Sequence, residues 1–281
     1  MTGKLIIVPT PLGNLGDMTA RALEALEQAD VVCAEDTRVT GKLLAHFGIQ
    51  ARLERCDENV IAAKSPALVA RMLDGETVAF CSDAGMPGIS DPGCVLVDAA
   101  REAGVPVDVL PGPSAVTTAL VTSGFKYSAF YFGGFLPRKE TERIALLKSL
   151  ANLDAALVFY ESPHRVAAST ASIAQAYGAR PVALCRELTK LHEEVLRLPA
   201  DELAANLAVR DAIKGEIALV IAPPDVRAQQ EASLDDPALR ERIAAELSAG
   251  ASKSALAKQL ARELGLPKNK LYELILSFPE Q

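Results

Sequence analysis

The segment Thr77-Val-Ala-Phe-Cys-Ser-Asp-Ala-Gly-Met-Pro-Gly-Ile-Ser-Asp-Pro-Gly93 joins a short apolar run to a loop of Gly, Pro and small polar residues, and a helical pattern follows. The same order of apolar run, loop and helical pattern recurs through the first 125 residues. Because the runs are apolar throughout instead of alternating, both faces of the sheet should be covered. The pattern therefore predicts an α/β fold with a parallel, doubly wound N-terminal sheet.

Two series of strands are expected. The first series comprises Lys4–Val8, Val31–Ala34, Thr77–Cys81 and Val107–Leu110. The second series comprises Ala129–Gly133, Ala155–Tyr160, Val182–Arg186, Val195–Leu198 and Glu216–Ala222. In this second series the third and fourth strands are too close in sequence for a crossover helix, so they should pair antiparallel. We therefore expect a second α/β layer with a mixed sheet.

Four regions are predicted along the chain. Residues 1–115 form an N-terminal α/β domain with cofactor loops, and residues 116–224 form a second α/β domain that closes a cleft. Residues 225–237 are polar, bounded by prolines and read as a linker. Residues 238–281 carry three amphipathic helical patterns, and Gly265 between the last two fits a helix-turn-helix.

Composition excludes several classes of protein. The chain has 281 residues, a formal net charge of −7, five Cys and three His. The negative charge argues against broad non-specific binding of nucleic acid, although residues 238–281 hold 7 basic and 5 acidic side chains. No apolar stretch approaches the roughly 20 residues of a membrane span, and the start lacks a signal-peptide core, so we expect a cytoplasmic protein. With no Cys-x-x-Cys pair, we expect free thiols and no protein-bound metal.

The loops after the predicted strands point to a small-molecule site without a phosphate cradle. The first loop contains Pro9 and Pro11, which lack the N–H groups that a pyrophosphate needs, and no P-loop motif is present. Asp83 follows a buried strand and can accept hydrogen bonds from an ammonium or hydroxyl group of a ligand. Asp91 is predicted to cap the next helix. Ser114 is either a helix cap or a cap whose neighbouring N–H groups meet a ligand.

Basic residues at strand ends allow two interpretations. They form a rim that contacts phosphates, or they are scattered, solvated charges. The residues concerned in the second half are Arg138, Lys139, Arg165, Arg186, Lys190 and Lys214. In the first half, Arg38 follows Glu35 and Asp36 and can simply pair with these acids, although three charged residues directly after a buried strand are more than a turn requires.

Seven segments in chain order resemble the ribosomal RNA small-subunit methyltransferase I family, a branch of the tetrapyrrole methylase superfamily. They are Val8-Pro-Thr-Pro-Leu-Gly-Asn14, Ala34-Glu-Asp-Thr-Arg38, Ser82-Asp-Ala-Gly-Met-Pro-Gly-Ile-Ser-Asp-Pro-Gly93, Leu110-Pro-Gly-Pro-Ser114, Gly134-Phe-Leu-Pro137, Tyr160-Glu-Ser-Pro-His-Arg165 and Arg186-Glu-Leu-Thr-Lys190. The resemblance spans almost the whole chain. It implies S-adenosylmethionine as donor, a cleft between two α/β domains, a homodimer, and 2′-O-methylation of a cytidine in 16S ribosomal RNA.

The resemblance also implies a set of site residues. It places the donor against Pro11, Leu12, Asp83, Ala84, Met86, Ile89, Ser114, Ala115 and Ala218, with Glu161 closing the site from the second domain. A 2′-hydroxyl is a poor nucleophile and benefits from a base, for which we consider Glu161 and Glu187. The residues expected to contact RNA are Arg38, Arg138, Lys139, Arg165, Arg186 and Lys190.

Three other functions remain open at this point. A methylase of tetrapyrroles or other small molecules would share the donor loops but would need neither a basic rim nor the helical tail. The tail alone would suit a DNA-binding regulator, although its charge is low. A nucleotide-dependent dehydrogenase would need the glycine fingerprint that Pro9 and Pro11 interrupt.

Overall fold

The computed structural model describes residues 3–225, 234, 236–264 and 266–278. Its first sheet is parallel, with the strand order β3-β2-β4-β1-β5. The strands are β1 (Lys4–Ile7), β2 (Val31–Ala34), β3 (Leu53–Arg55), β4 (Thr77–Cys81) and β5 (Val107–Val109). The helices of this half are α1 (Ala20–Gln28), α2 (Thr37–His46), α3 (Ile61–Leu73) and α4 (Gly93–Glu102). The predicted parallel, doubly wound sheet is confirmed.

The apolar strands of this sheet supply two separate cores. Alternate residues point to opposite faces of a strand, so Leu5 and Ile7 pack with α3 and α4 on one face. Ile6 and Val8 pack with α1 and α2 on the other face. This arrangement explains why the strands show no polar alternation, since neither face meets water.

The second sheet is mixed, as predicted, with the order β6-β7-β10-β8-β9. Its strands are β6 (Phe130–Phe135), β7 (Ala156–Glu161), β8 (Pro181–Arg186), β9 (Glu194–Pro199) and β10 (Ile217–Ile221). The predicted antiparallel pairing of β8 with β9 is confirmed. Of the strand pairs described in this second sheet, only β6 and β7 are parallel. Helix α5 (Ala115–Thr122) covers one face, whereas α6 (Glu140–Ser149), α7 (Val166–Tyr177) and α8 (Ala200–Ala208) cover the other.

Several predicted boundaries differ from the structure. Strand β3 was not expected, because Leu-Glu-Arg is short and lies partly exposed at the sheet edge. The spacing of apolar residues predicts a helix over Gly41–Phe47, but helix α2 begins at Thr37, because the Asp36 side chain accepts a hydrogen bond from the N–H of Arg38. The same spacing predicts a helix over Ala67–Leu73, but helix α3 begins six residues earlier, at Ile61, and includes Pro66.

The chain divides into two compact units, Met1–Pro223 and Pro224–Gln281. In the second unit, α9 (Pro237–Ser248), α10 (Lys253–Leu264) and α11 (Lys268–Leu276) enclose a small apolar core of their own. Most of the predicted linker 225–237, and the predicted helix stop Gly265, lie outside the described residues. Among the helices that the structure describes, none is both long and apolar enough to traverse a bilayer.

Candidate active site

A cavity of about 410 Å³ lies at the carboxyl ends of the first-sheet strands, against the second sheet. Its volume is within the range of small-molecule sites. From the first half it is lined by Leu12, Glu35, Ser82, Asp83, Ala84, Ile89, Ser90 and Asp91. From α5 and the second half it is lined by Ala115, Phe135, Tyr160, Glu161, Ser162, Pro163, Cys185, Leu188, Gly215, Glu216, Ile217 and Ala218. The two sheets together therefore form one site.

The charge of this cavity is one-sided. Five of the lining side chains are acidic, and no described residue that lines it is Lys, Arg or His. These acids are Glu35, Asp83, Asp91, Glu161 and Glu216. Negative walls of this kind attract a cationic ligand and repel a phosphorylated one.

Asp83 lies two residues beyond β4, where the first loop and the β2 end converge. Its Oδ1 accepts a hydrogen bond from the N–H of Asp36 at 2.9 Å, which fixes the carboxylate at the carboxyl edge of the sheet. Burial raises the pKa of Asp83. Burial, followed by the charge of Asp83, also raises the pKa of Glu35. A bound cation would lower the pKa values of both carboxyl groups, because it favours their ionised form.

The long loop after β4 is held by its own backbone and by Asp91. Thr10 and Gly85 exchange two backbone hydrogen bonds of 3.0 Å, so the first loop and this loop form a bridge. The Asp91 carboxylate accepts from the N–H groups of Gly88 and Gly93, at 2.8 Å each. The predicted role of Asp91 as helix cap is wrong by one position, since Pro92 is the N-cap residue. Asp91 instead ties the loop to the first turn of α4.

The predicted donor-binding residues divide into two groups. Six of the nine line the cavity, namely Leu12, Asp83, Ala84, Ile89, Ala115 and Ala218. The other three do not appear among its lining residues. Pro11 faces a neighbouring cavity, and Ser114 precedes α5 without a side-chain cap bond. Met86 lies in the same loop as Asp83.

Glu161 ends β7 with its side chain fully buried. The carboxylate accepts hydrogen bonds from the N–H of Ser162 at 2.7 Å, Nη2 of Arg165 at 3.0 Å and Oγ of Ser169 at 2.5 Å. These three donors occupy the carboxylate and turn it toward α7. The contacts favour a positioning role for Glu161 over proton transfer.

Glu187 lies in the connection between β8 and β9, beside the cavity. Its Oε1 accepts from Nζ of Lys190 at 2.9 Å and from the N–H of Glu216 at 2.9 Å. The Lys190 hydrogen bond, and then the backbone bond, lower the pKa of Glu187. Glu187 and Thr189 both have positive φ, at 52° and 66°, a conformation that costs energy for residues other than glycine.

The same connection contacts the first loop. A Cβ on Gly13 would come within 2.2 Å of Cγ of Lys190, so the lysine stem lies directly on the glycine backbone. The Lys190 ammonium continues to Glu187 and to Oε2 of Glu216 at 3.0 Å. Any side chain at position 13 would displace this arrangement.

Most of the predicted RNA-contacting cations are paired with acceptors of the protein itself. Arg186 is paired with Glu194 at 2.8 Å, and Arg165 donates to the carbonyl of Leu136 as well as to Glu161. Arg38 is paired with Asp36 but remains 86% exposed, and Lys139 is paired with Glu142 at the surface. Arg138 is exposed.

Comparison with known families agrees with this architecture. The profile of the tetrapyrrole (corrin/porphyrin) methylases matches residues 4–204. The chain belongs to the tetrapyrrole methylase family. Within it, a ribosomal RNA small subunit methyltransferase I of Micromonospora olivasterospora is 42% identical over 276 residues, covering 98% of this chain and 87% of the relative. The protein of the same name from Escherichia coli O157:H7 is also 42% identical, covering 98% and 95%.

Solved tetrapyrrole methylases share the fold at lower identity. A cobalt precorrin-4 methyltransferase of cobalamin biosynthesis has a TM-score of 0.59 and 19% identity, covering 78% of this chain and 94% of the other. A uroporphyrin-III C-methyl transferase from Thermus thermophilus, complexed with S-adenosyl homocysteine, has a TM-score of 0.55 and 17% identity, covering 78% and 97%.

Some lining residues of this tetrapyrrole methylase were not expected. Leu188 and Cys185 reach the cavity only because β8 lies next to β10. No local sequence pattern predicts that these two strands are adjacent. Glu216 begins the last expected strand and was not singled out. Glu35 was noted as a charged residue after a strand, which is the signal that should have placed it in the site.

Proposed function

We propose that this chain transfers a methyl group from S-adenosylmethionine to the 2′-hydroxyl of a cytidine ribose in 16S ribosomal RNA. The observation that carries the proposal is the cavity with five acidic and no basic residues among its described lining. Relatives that are 42% identical over nearly the whole chain carry the name ribosomal RNA small subunit methyltransferase I, which supports the RNA substrate.

The residues present fit this donor. When bound, S-adenosylmethionine supplies a methyl group activated by a positively charged sulfur. Asp83 and Glu35 offer negative charge for its cationic groups, while Leu12, Ile89 and Ala218 offer apolar surface. We extend the donor site to Pro11, Met86 and Ser114 on the resemblance alone. Because the sulfonium carries no phosphate, a glycine- and proline-rich loop without a phosphate cradle suits it.

The chain's part in catalysis is alignment and proton acceptance. Methyl transfer is a displacement in line with the sulfur, so correct placement of the ribose in a dry cleft supplies much of the rate. We assign the base to Glu187, whose side chain is 20% exposed, and a positioning role to Glu161, whose side chain is fully buried. Lys190 lies next to the base and can hold the adjoining phosphate.

RNA binding is assigned to surface cations. Arg138 is exposed, and the exposed Arg38 and Lys139 can exchange an acidic neighbour for a phosphate at little cost. Arg165, Arg186 and Lys190 complete the set, and the helical unit adds basic charge. The 2′-hydroxyl lets such a site distinguish RNA from DNA. The small ribosomal subunit in the cytoplasm is the proposed setting of the reaction.

A second copy of the chain is the proposed partner at the edge of the mixed sheet. Strand β6 lies at one edge of this sheet, and its Phe130 side chain is 47% exposed. An edge strand has unpaired backbone groups, and an exposed aromatic side chain on it is stabilised by burial against another protein chain. We infer that the protein acts as a homodimer.

The function is tested by transfer of tritiated methyl groups to small ribosomal subunits purified from cells that lack this methylation. The recovered RNA is digested with nucleases and its nucleosides are separated. We expect the label on the ribose of one cytidine. Label on a base, or on a small molecule in place of RNA, would contradict the proposal.

Asp83→Asn is expected to weaken binding of S-adenosylmethionine about thirtyfold, because a hydrogen bond to a charged group contributes about 2 kcal/mol. The amide retains an acceptor for the N–H of Asp36, so the loop should keep its shape. The raised pKa of Asp83 adds a pH dependence. Since only the carboxylate attracts a cation, donor binding should weaken, as pH falls, earlier than an ordinary Asp would allow.

Calorimetry with S-adenosylmethionine measures this change. The matched control is Asp74→Asn, an exposed residue that follows α3 at the amino end of β4. The control should bind like the wild type. Equal affinities of the two variants would remove Asp83 from the donor site.

A further inference from the structure

A second cavity, of about 500 Å³, borders the donor cavity. It lies between the first loop and α2, and the two cavities share Ser82 and Asp83. The apolar part of its wall includes Leu15, Val39 and Leu43. Leu15 and Val39 are 40% and 43% exposed, which is unusual for residues so close to a core. Of its lining residues, only Pro11 and Asp83 have been assigned a role above, and both roles concern the donor.

Helix α2 presents basic residues along this cavity. Arg38, Lys42 and His46 are spaced four residues apart, so they lie along one side of the helix at intervals of about 6 Å. Lys42 and His46 line the cavity and are exposed. In the part of the chain that the structure describes, neither makes an ion pair with an acidic side chain. Arg186 and Lys190, by contrast, must share or release a carboxylate partner when they contact a phosphate.

We infer that this cavity binds a nucleotide of single-stranded RNA next to the methylated one, with its base or ribose on Leu15, Val39 and Leu43 and its phosphate near Lys42 and His46. The inference rests on the proposed function and names the substrate contact of the same site. Basic groups beside an apolar floor match a nucleotide, which is anionic at one end and flat and weakly polar at the other.

The dimensions favour a single strand over a duplex. A cavity of about 500 Å³ admits one unstacked nucleotide, and single-stranded RNA can splay its bases into such spaces. Ser82 and Asp83 line both cavities, so the two cavities are adjacent. A strand held along α2 therefore presents its next ribose to the donor cavity, and the spacing of basic residues matches about one nucleotide step.

The test is the double variant Lys42→Gln/His46→Gln, assayed with unmethylated small ribosomal subunits over a range of salt concentrations. We expect KM for the subunits to rise about tenfold and kcat to change less than twofold. The dependence of log KM on log salt should become shallower by about one. S-adenosylmethionine should bind with wild-type affinity in calorimetry. Val39→Asp, which places a negative charge on the exposed wall, should raise KM in the same way.

Lys148→Gln is the matched control, because Lys148 is an exposed lysine on α6. It should keep the wild-type KM and salt dependence. An active double variant with the control's KM and salt slope would overturn the inference while leaving the proposed function intact. Loss of donor affinity in the double variant would also overturn it. A wild-type chain that binds the donor but labels no RNA would defeat the proposed function, and this inference with it.

Discussion

Glu161→Ala is expected to lower the free energy of unfolding by about 3–5 kcal/mol, because it removes one partner of a buried ion pair. The truncation leaves the buried Ser169 hydroxyl without its carboxylate acceptor, and it removes the charged acceptor of the Arg165 guanidinium, which keeps only backbone carbonyls such as that of Leu136. The N–H of Ser162 loses its acceptor as well. Urea unfolding followed by circular dichroism measures the change.

Glu142→Ala is the matched control. Glu142 also pairs with a basic residue, Lys139, at 2.9 Å, but its side chain is 56% exposed. An exposed pair contributes less than about 1 kcal/mol. If Glu161→Ala were no less stable than Glu142→Ala, the buried network would not hold the end of β7. Glu161→Gln separates the remaining roles, since a normal stability with no methyl transfer would make Glu161 the base.

Glu187→Gln is expected to lower the single-turnover rate of methyl transfer about a hundredfold, with bound RNA and donor. A positioned base contributes about 10²–10⁴-fold, and we choose the lower end because the lowered pKa of Glu187 makes it a weaker base. Binding of the donor should be unchanged. Glu202→Gln, an exposed residue in the first turn of α8, should react at the wild-type rate.

The pH profile adds a second readout. Because the Lys190 hydrogen bond lowers the pKa of Glu187, the carboxylate stays ionised below the pH at which an ordinary Glu protonates. With donor and RNA saturating, the rate should therefore stay constant down to a lower pH than an ordinary Glu would allow. Lys190→Gln lets the pKa of Glu187 rise, so the rate should begin to fall at a higher pH. A full single-turnover rate in Glu187→Gln would exclude it as the base.

The sequence indicated the central strands of both sheets because those strands are buried on two faces. Neighbouring residues such as Ile6 and Ile7 are both apolar because each belongs to a different core. Such a strand appears in the sequence as an uninterrupted apolar run. Strand β3 has no such run. Its Leu53, Glu54 and Arg55 are partly exposed, and only pairing with β2 defines the strand.

The candidate site was less accessible to sequence reasoning. Asp83 could be singled out because it follows a buried strand and is not placed to cap a helix, so that its carboxylate is available to a ligand. The three hydrogen bonds to the Glu161 carboxylate could not be predicted, because Ser169 lies on α7 and contacts the carboxylate only in the folded chain. Likewise, Arg186 looked available for phosphate until β9 brought Glu194 beside it.

The contact of Gly13 with Lys190 has a consequence for the order of events in a catalytic cycle. The loop proposed to bind the donor and the lysine that pairs with the proposed base, Glu187, are in van der Waals contact. Arrival of the small molecule would press on the same glycine backbone against which the lysine rests. Binding of the methyl donor would thus orient Lys190 and the Glu187 carboxylate that it contacts. We therefore expect the donor to bind before the RNA.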